Sequence, residues 1–286
     1  MVSQSQDEKR IQLENFQITS YNIWNLNPPW TDRLTLIHQQ LNNLKSDIIA
    51  FQEVRYTHQK NYRTTAETHQ IDDLAQGLKE YQYVYQPAMT YLTNSYDPHS
   101  DWTDEGIAIF SKHPIIESSY IKLSRNFSDR EDEHQRLVLR ALIEMPIGKV
   151  NVFSTHMSLS ELARRRNVIE FWDFVNRYEG AQIILGDFNC EPDSETYQFL
   201  VGNKEINGVT GNFKDAWVEL HGNDKEKEGW TYITLNENPK KRIDFVLYRG
   251  DLLPQSIQVL ENDDKNIQPS DHRALFADFS IKKSGT

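Results

Sequence analysis

Residues 184–192 read ILGDFNCEP, and this stretch decides how the rest of the sequence is interpreted. The apolar residues 183–185 predict a buried strand, yet that strand ends in Asp187 and Asn189. In an extended chain, residues i and i+2 project from the same face, so both side chains are expected at one spot. The simplest interpretation is a turn, because Gly, Asp, Asn and Pro are frequent in turns. A functional interpretation needs support from the other strands.

Size and composition fit an ordinary globular protein with a substantial core, since the 286 residues are 38% hydrophobic. No long Gly/Ser linker interrupts the sequence, so we expect one domain over residues 15–281, a flexible segment 1–14 and a tail 282–286. The first ten residues contain no apolar run, which argues against a signal peptide. No stretch approaches the roughly 20 apolar residues of a membrane span. We therefore expect a monomeric, cytoplasmic or otherwise intracellular protein with no integral membrane segment.

The charge balance is acidic. The formal net charge is −11, from 31 basic and 42 acidic side chains, which gives no general attraction to nucleic acid or anionic membranes. This weighs against a non-specific polyanion binder. A phosphate-cleaving enzyme stays open, because a divalent cation and a few basic residues can supply attraction at the site itself.

Strand-like segments outnumber helical ones, which predicts packed sheets flanked by helices. The helical pattern TDRLTLIHQQLNNLKSD follows Thr31 as a plausible N-cap. The pattern SLSELARRRNVIEFWDFVNRYEG has Ser158 and Glu161 at capping-box spacing and ends at Gly180. Nine segments are predicted strands: FQITSYNIW, SDIIAFQEV, EYQYVYQP, EGIAIFSK, QRLVLRALIEM, KVNVFSTHM, AQIILGDFN, RIDFVLYRG and HRALFADFSI. Three polar segments, 87–106, 124–136 and 221–242, are predicted loops that would border any site.

Polar residues recur at the ends of five further strands. Taken singly, each is more often a cap or a satisfied hydrogen-bonding group than a catalyst. Buried carboxylates cost several kcal/mol unless they are paired or bound to metal, so a converging set requires a cation. Oxygen ligands from Asp, Glu and Asn suit Mg²⁺ or Mn²⁺ rather than zinc. The residues in question are Asn22, Glu53, His156, Asp244, Asp271 and His272.

The ordered set of motifs resembles the endonuclease/exonuclease/phosphatase (DNase I-like) superfamily over residues 16–280. The motifs are YNIW, QEV, GIAIFSK, STH, GDFN, RIDFVL and SDH. The resemblance implies an α/β fold, a four-layer α/β sandwich of two mainly antiparallel β-sheets packed face to face with flanking helices, with the site at one edge. It also implies a single catalytic domain and Mg²⁺- or Mn²⁺-dependent hydrolysis of phosphate esters by in-line attack of an activated water.

The resemblance assigns roles to named residues. The expected metal ligands are Glu53, Asn22 and Asp271. The expected catalytic residues are Asp187, Asn189, His156, His272 and Asp244. Asp187 would orient and deprotonate the water, and Asn189 would hold the water or a phosphoryl oxygen. His272, its tautomer fixed by Asp244, would contact the phosphate, while His156 would donate to another phosphoryl oxygen or assist the leaving group.

Further residues are candidates for substrate contact or for support of the catalytic groups. From the family pattern, Glu105 would orient His156 as Asp244 orients His272. Lys241, Arg242 and Trp230 would lie near a second phosphate or the substrate wall. The triplet Arg164–Arg166 is interpreted as a solvated helix face, although one arginine could reach a phosphate. Cys190, the one cysteine, is interpreted as a small buried residue.

The substrate is left open between classes. Abasic endonucleases usually carry Trp where this chain has Lys241, and a Tyr-based motif where it has STHMS, which lowers that interpretation. One hypothesis is a phosphodiesterase or nuclease acting on nucleic acid or a nucleotide. A second is a phosphatase or a phospholipase C- or sphingomyelinase-like enzyme acting on a phosphorylated small molecule or lipid headgroup. The third, a non-catalytic binding module, fits poorly because every catalytic position is filled.

Overall fold

The computed structural model describes residues 15–57, 69–92, 102–146, 148–222, 229–233, 240–261 and 266–281. The predicted flexible segment 1–14 and tail 282–286 lie outside the described residues. The helices are α1 Trp30–Leu44, α2 Gln70–Gly77, α3 Glu161–Val175, α4 Glu195–Leu200 and α5 Ala216–His221. The strands are β1 Asn15–Asn22, β2 Ile48–Thr57, β3 Gln82–Leu92, β4 Trp102–Ser111, β5 Ile115–Lys122, β6 Leu137–Met145, β7 Gly148–His156, β8 Ala181–Asp187, β9 Glu205–Ile206, β10 Val209–Thr210, β11 Lys214–Asp215, β12 Tyr232–Ile233, β13 Lys240–Lys241, β14 Asp244–Arg249, β15 Leu252–Val259 and β16 Leu275–Ile281.

Two six-stranded sheets form the body of the fold. The first has the order β15-β16-β1-β2-β4-β3, and the second has the order β11-β14-β8-β7-β6-β5. Each sheet contains one parallel pair, β1 with β2 and β7 with β8, and its other pairs are antiparallel. Parallel neighbours end at the same sheet edge, so each sheet delivers two strand ends to one place.

The sheets pack face to face and helices cover their outer faces. The central apolar cluster combines Phe16 and Ile48 of the first sheet with Val152 and Ile183 of the second. A second cluster lies between the second sheet and α3, and a third lies between the first sheet and α1 with α2. The predicted four-layer α/β sandwich is confirmed. Among the described helices, none is long and apolar enough to span a bilayer.

Helix starts differ from the sequence prediction. Thr31 lies inside the first turn of α1, whose N-cap position is occupied by Pro29. At α3 the N-cap is Ser160, whose hydroxyl accepts the amide of Ala163 at 3.1 Å, so the predicted capping box at Ser158 is wrong. The helix is also shorter than predicted, because it ends five residues before Gly180.

Candidate active site

Three neighbouring strands of the second sheet place His156, Asp187 and Asp244 side by side. In the β7–β8 pair His156 lies opposite Asp187, and in the β14–β8 pair Asp244 lies opposite Asp187. Gly186 allows β7 and β8 to approach here, because a Cβ on it would lie 2.0 Å from the Thr155 carbonyl oxygen. The Asp187 side chain is buried, so its carboxylate depends on the groups these strands deliver.

The first sheet contributes Asn22 at the end of β1 and Glu53 from β2. The Asn22 amide group donates to Glu53 Oε1 at 3.0 Å and to Asp187 Oδ2 at 3.0 Å. One side chain therefore bridges carboxylates from two different sheets. Asn25 donates to the other oxygen of Glu53 at 3.2 Å, which fixes that carboxylate from both sides.

Backbone geometry at Glu53 departs from a regular strand. The β2–β4 register shifts between Phe51 and Val54, and Glu53 has a φ of 60°. The extra residue is a β-bulge, which redirects a side chain that a regular strand would point toward α1 and α2. Asn189 also has a positive φ, of 50°. Left-handed backbone at non-glycine residues costs free energy and tends to cluster at functional sites.

His272 is held as a cation. Its Nδ1 lies 2.8 Å from Asp244 Oδ2, and its Nε2 lies 3.5 Å from Asp187 Oδ2. Burial lowers the pKa of His272, but the Asp244 and Asp187 carboxylates raise it more, so that the pKa rises to about 10. Near neutral pH the imidazolium therefore donates through Nδ1 to Asp244 and has its Nε2–H on the side of Asp187.

His156 has the opposite character. Its Nδ1 lies 2.9 Å from Nη1 of Arg136, and its Nε2 lies 3.4 Å from Asp187 Oδ2. Burial, and then the Arg136 charge, lowers the pKa of His156 well below its usual value. Because a guanidinium can only donate, Nδ1 must accept and the proton must reside on Nε2. His156 is thus a neutral imidazole with its N–H on the side of Asp187.

The predicted pairing of Glu105 with His156 is wrong. Glu105 Oε2 instead accepts from Arg55 at 3.2 Å and from the Tyr91 hydroxyl at 2.7 Å, and Arg136 takes the expected place beside the imidazole. Sequence reasoning missed Arg136. The sequence feature that could have identified Arg136 is its position directly before the apolar run of β6, since Glu53 was identified by a charged residue next to an apolar run.

Glu53, Asp187, Asp271 and Asn189 are the acidic and amide side chains around these histidines. Burial raises the pKa of Glu53, with help from Glu105, to about 7, and burial raises the pKa of Asp187 to about 6. Burial also raises the pKa of Asp271. The Asn189 amide N–H donates to Asp187 Oδ1 at 2.8 Å, and its side chain donates to the Met157 carbonyl.

These carboxylates fit a hard divalent cation. Glu53, Asp187 and Asp271 share one cavity end, and oxygen ligands are those that Mg²⁺ and Mn²⁺ prefer. Asp187, Asp244 and His272 also lie close enough to hold an ion. We favour oxygen ligands from Glu53 and Asp271, which leaves Asp187 free as a base, because Nδ1 of His272 is engaged by Asp244 and a protonated imidazole cannot bind metal.

A cavity of about 1140 Å³ opens over these groups. Its walls include Glu105 and Lys241, as well as the aromatic side chains of Tyr91, Trp102 and Tyr232. A smaller groove of about 480 Å³ lies near Gln182 and Arg249, at the opposite end of β8 and β14. The large cavity is the one that contains the polar strand ends.

Arg242 and Trp230 do not lie in their predicted surroundings. Arg242 is buried and donates to Asp215 Oδ2 at 2.7 Å, and it does not line the large cavity, so its predicted substrate contact is wrong. Trp230 is half-buried beneath the Lys240 ammonium, 4.7 Å from its ring centre, and is not a wall residue of that cavity either. Cys190 is buried, as predicted.

The arginine triplet of α3 divides into two kinds. Arg165 is exposed and pairs with Glu195, and Arg166 is half-buried and pairs with Asp132. Arg164 is buried and lines the large cavity. The prediction of a solvated face is therefore wrong for Arg164.

The chain is similar in sequence to a curated exoribonuclease subunit. The Ccr4 exoribonuclease subunit of Mycosarcoma maydis is 22% identical over 359 residues, covering 95% of this chain and 51% of that protein. The chain therefore spans about half the length of this relative.

Solved structures agree on the fold. TDP2 from D. rerio, complexed with a single-strand DNA product, superposes with a TM-score of 0.68 at 16% identity over 93% of this chain and 99% of that one. The mannosyl-6-phosphatase of Bacteroides thetaiotaomicron gives 0.67 at 17% identity over 92% and 99%. Identities this low establish the shared fold alone.

A sequence model of one protein family matches most of the chain. It is described as the Endonuclease/Exonuclease/phosphatase family and matches residues 19–272, a span that contains every predicted metal and catalytic position. The chain belongs to the endonuclease/exonuclease/phosphatase family.

Proposed function

We propose that the chain is a Mg²⁺- or Mn²⁺-dependent phosphodiesterase that cleaves nucleic acid or a nucleotide-like diester by in-line attack of water. The observation that carries this proposal is the arrangement around Asp187. One buried carboxylate faces the amide of Asn22, the neutral imidazole of His156 and the imidazolium of His272. These are a base and three donors at one point, which is what attack on a phosphorus atom requires.

Each residue has a role in this scheme. Asp187, whose pKa burial raises to about 6, would accept the proton of the attacking water near neutral pH. His272 and His156 would donate through Nε2 to phosphoryl oxygens, and Asn189 would position the water or an oxygen. A divalent ion held by Glu53 and Asp271 would supply charge neutralisation. Asn22, predicted as a third ligand, instead turns its amide N–H groups toward Glu53 and Asp187.

A diester of nucleotides is favoured over a small monoester by the cavity walls. Tyr91, Trp102 and Tyr232 offer aromatic faces on which bases can stack, and Trp102 is 46% exposed. Two similar proteins, the Ccr4 exoribonuclease and TDP2 in complex with a DNA product, support a nucleic-acid substrate. The similar mannosyl-6-phosphatase makes a sugar phosphate the second candidate substrate. The monomeric state and the intracellular location stay predictions.

A parallel release assay tests the proposal. Single-stranded oligonucleotide, plasmid DNA, sphingomyelin, inositol phosphates and mannose 6-phosphate are each incubated with Mg²⁺, Mn²⁺ or EDTA. We expect metal-dependent cleavage of the oligonucleotide, and a loss of about 10²- to 10³-fold in kcat for Asp187→Asn and His272→Ala. Asp173→Asn, on the exposed face of α3, is the control. Cleavage of the sugar phosphate or lipid alone would replace the substrate assignment, and inactivity on every ester would favour a binding module.

A further inference from the structure

Two buried arginines of the large cavity lack acidic hydrogen-bond partners. Arg136 and Arg164 are each 8% exposed. Arg164 uses only Nη1, which donates to the carbonyls of Ser158 and Leu159. Arg136 likewise uses only Nη1, in its bond to His156. Within the described part of the chain, neither guanidinium forms an ion pair with a carboxylate.

In both arginines the nitrogens without an acceptor are the same two, Nε and Nη2. Nε of Arg136 and Nε of Arg164 are buried without a hydrogen-bond partner among the described groups, and the adjacent Nη2 atoms have no acceptor there either. Nε and Nη2 carry parallel N–H bonds, the fork that binds two oxygens of a phosphate or carboxylate. A buried donor without an acceptor destabilises the folded protein, so two such forks in one cavity indicate a ligand.

Arg136 lies on the far side of His156 from Asp187. The imidazole Nε2 is on the side of Asp187, while its Nδ1 receives Arg136. Arg164 is bonded to the carbonyls of the second and third residues after His156 and lines the same cavity as Arg136. An anion bound to Arg136 would therefore be separated from Asp187 by the imidazole.

We propose that Arg136 and Arg164 form a second anion subsite, which binds a phosphate group next to the scissile one and so selects substrates with at least two phosphates. This proposal rests on the proposed phosphodiesterase function and narrows it. A monoester with one phosphate would leave the subsite unused, whereas an oligonucleotide supplies adjacent phosphates along its backbone.

The turnover test compares dinucleotides that carry an added terminal phosphate, at the 5′ or the 3′ end, with the unphosphorylated dinucleotide. The measured quantity is the ratio of kcat/KM with and without the added phosphate. We expect wild type to show a ratio of about 10 to 100, the range for a charge-assisted bidentate contact, and Arg164→Met to reduce it toward one. A ratio unchanged in Arg164→Met overturns the proposal.

The neighbouring residue supplies the matched control. Arg165→Met removes the same charge one position along α3 from a side chain that is 56% exposed. Its ratio is expected to equal that of wild type, and an equal fall in both variants would mean general electrostatics and overturn the subsite. If Arg164→Met does not fold, Arg164→Lys keeps the charge without the fork, and the ratio is still expected to fall severalfold.

A binding measurement separates this proposal from the proposed function. Calorimetry with adenosine 3′,5′-bisphosphate and with adenosine 5′-monophosphate needs no turnover. We expect the bisphosphate to bind about tenfold more tightly or better to wild type, and Arg164→Met to lose that advantage. If no ester is cleaved but the bisphosphate preference holds, the hydrolase proposal fails and the subsite stands. Equal affinity for both nucleotides overturns the subsite.

Discussion

Replacing Asp244 with Asn tests the electrostatic account of the site most directly. In the wild type, His272 Nδ1 lies 2.8 Å from the Asp244 carboxylate. The amide of the variant keeps an oxygen acceptor at this position but removes the negative charge. Burial alone lowers the pKa of His272, and Asp244 is the largest of the carboxylate contributions that raise it to about 10. The variant therefore brings the pKa of His272 down toward the assay range.

The size of the effect follows from that shift. The net change from 6.5 to about 10 corresponds to about 5 kcal/mol, and burial opposes it, so the three carboxylates together contribute more than about 5 kcal/mol. The loss of the largest contribution is therefore at least about 2–3 kcal/mol, which lowers the pKa of His272 into the range of the assay. We expect Asp244→Asn to reduce kcat/KM on a diester by about tenfold or more at pH 9, where His272 is still mostly protonated in wild type but mostly neutral in the variant. The deficit narrows toward pH 6, because acid restores the proton on His272.

The same charge pair contributes to folding stability, and this contribution is largest at low pH. A raised pKa of His272 stabilises the folded state fully below 6.5 and loses this contribution as pH rises through about 10. Thermal unfolding of Asp244→Asn should thus show its largest deficit near pH 6. Asp215→Asn is the control, because it breaks another buried ion pair, with Arg242, outside the cavity and should destabilise without lowering kcat. A pH-independent deficit in kcat/KM, or one below threefold, would refute the reasoning.

Two further predictions concern stability. Burial and Glu105 raise the pKa of Glu53 to about 7, so in metal-free protein its ionisation opposes folding above pH 4.5. Glu53→Gln should then stabilise the protein by up to about 3 kcal/mol at pH 8, and little at pH 4.5, in urea unfolding with EDTA; a larger gain at pH 4.5 would contradict this. Gly186→Ala has φ near 141° and a Cβ contact of 2.0 Å, so it should cost about 2–3 kcal/mol and lower activity at least tenfold. Gly208→Ala, at φ 78° with open space around it, should cost about 1 kcal/mol and leave kcat intact; equal effects would refute the contact argument.

The sandwich could be predicted because its central strands are apolar and their ends are polar. All nine predicted strands exist, yet the eight-residue strands β5 and β15 and the two-residue strands β9 to β13 were missed. The alternation of β5 is weak, since most of its residues are exposed at the edge of the second sheet, and β15 is interrupted by Pro254 at an irregularity in its pairing. Edge strands lack the double burial that makes central strands recognisable.

The details of the site that depend on neighbours could not be predicted. The bulge at Glu53 is visible only in the β2–β4 register. Helical periodicity does not reveal that Arg164, rather than Arg165, is buried against the cavity, because the loop over the N-terminal end of α3 decides it. The partner of His156 likewise depends on which strand end lies beside it. The family pattern indicated Glu105, and the packing of β6 against β7 brings Arg136 instead.

The pairing of β1 with β16 has a consequence for biosynthesis. β1 can pair with β16 only after residues 275–281 have been synthesised. The Ser270 hydroxyl also donates to the carbonyl of Asn22, 248 residues away in sequence. A ribosome-bound intermediate that ends before His272 would hold the β7–β8 half of the site without its imidazolium. Such a fold closes slowly, because its decisive contacts are distant in sequence. A chain synthesised only as far as residue 270 should therefore lack the proposed hydrolytic activity.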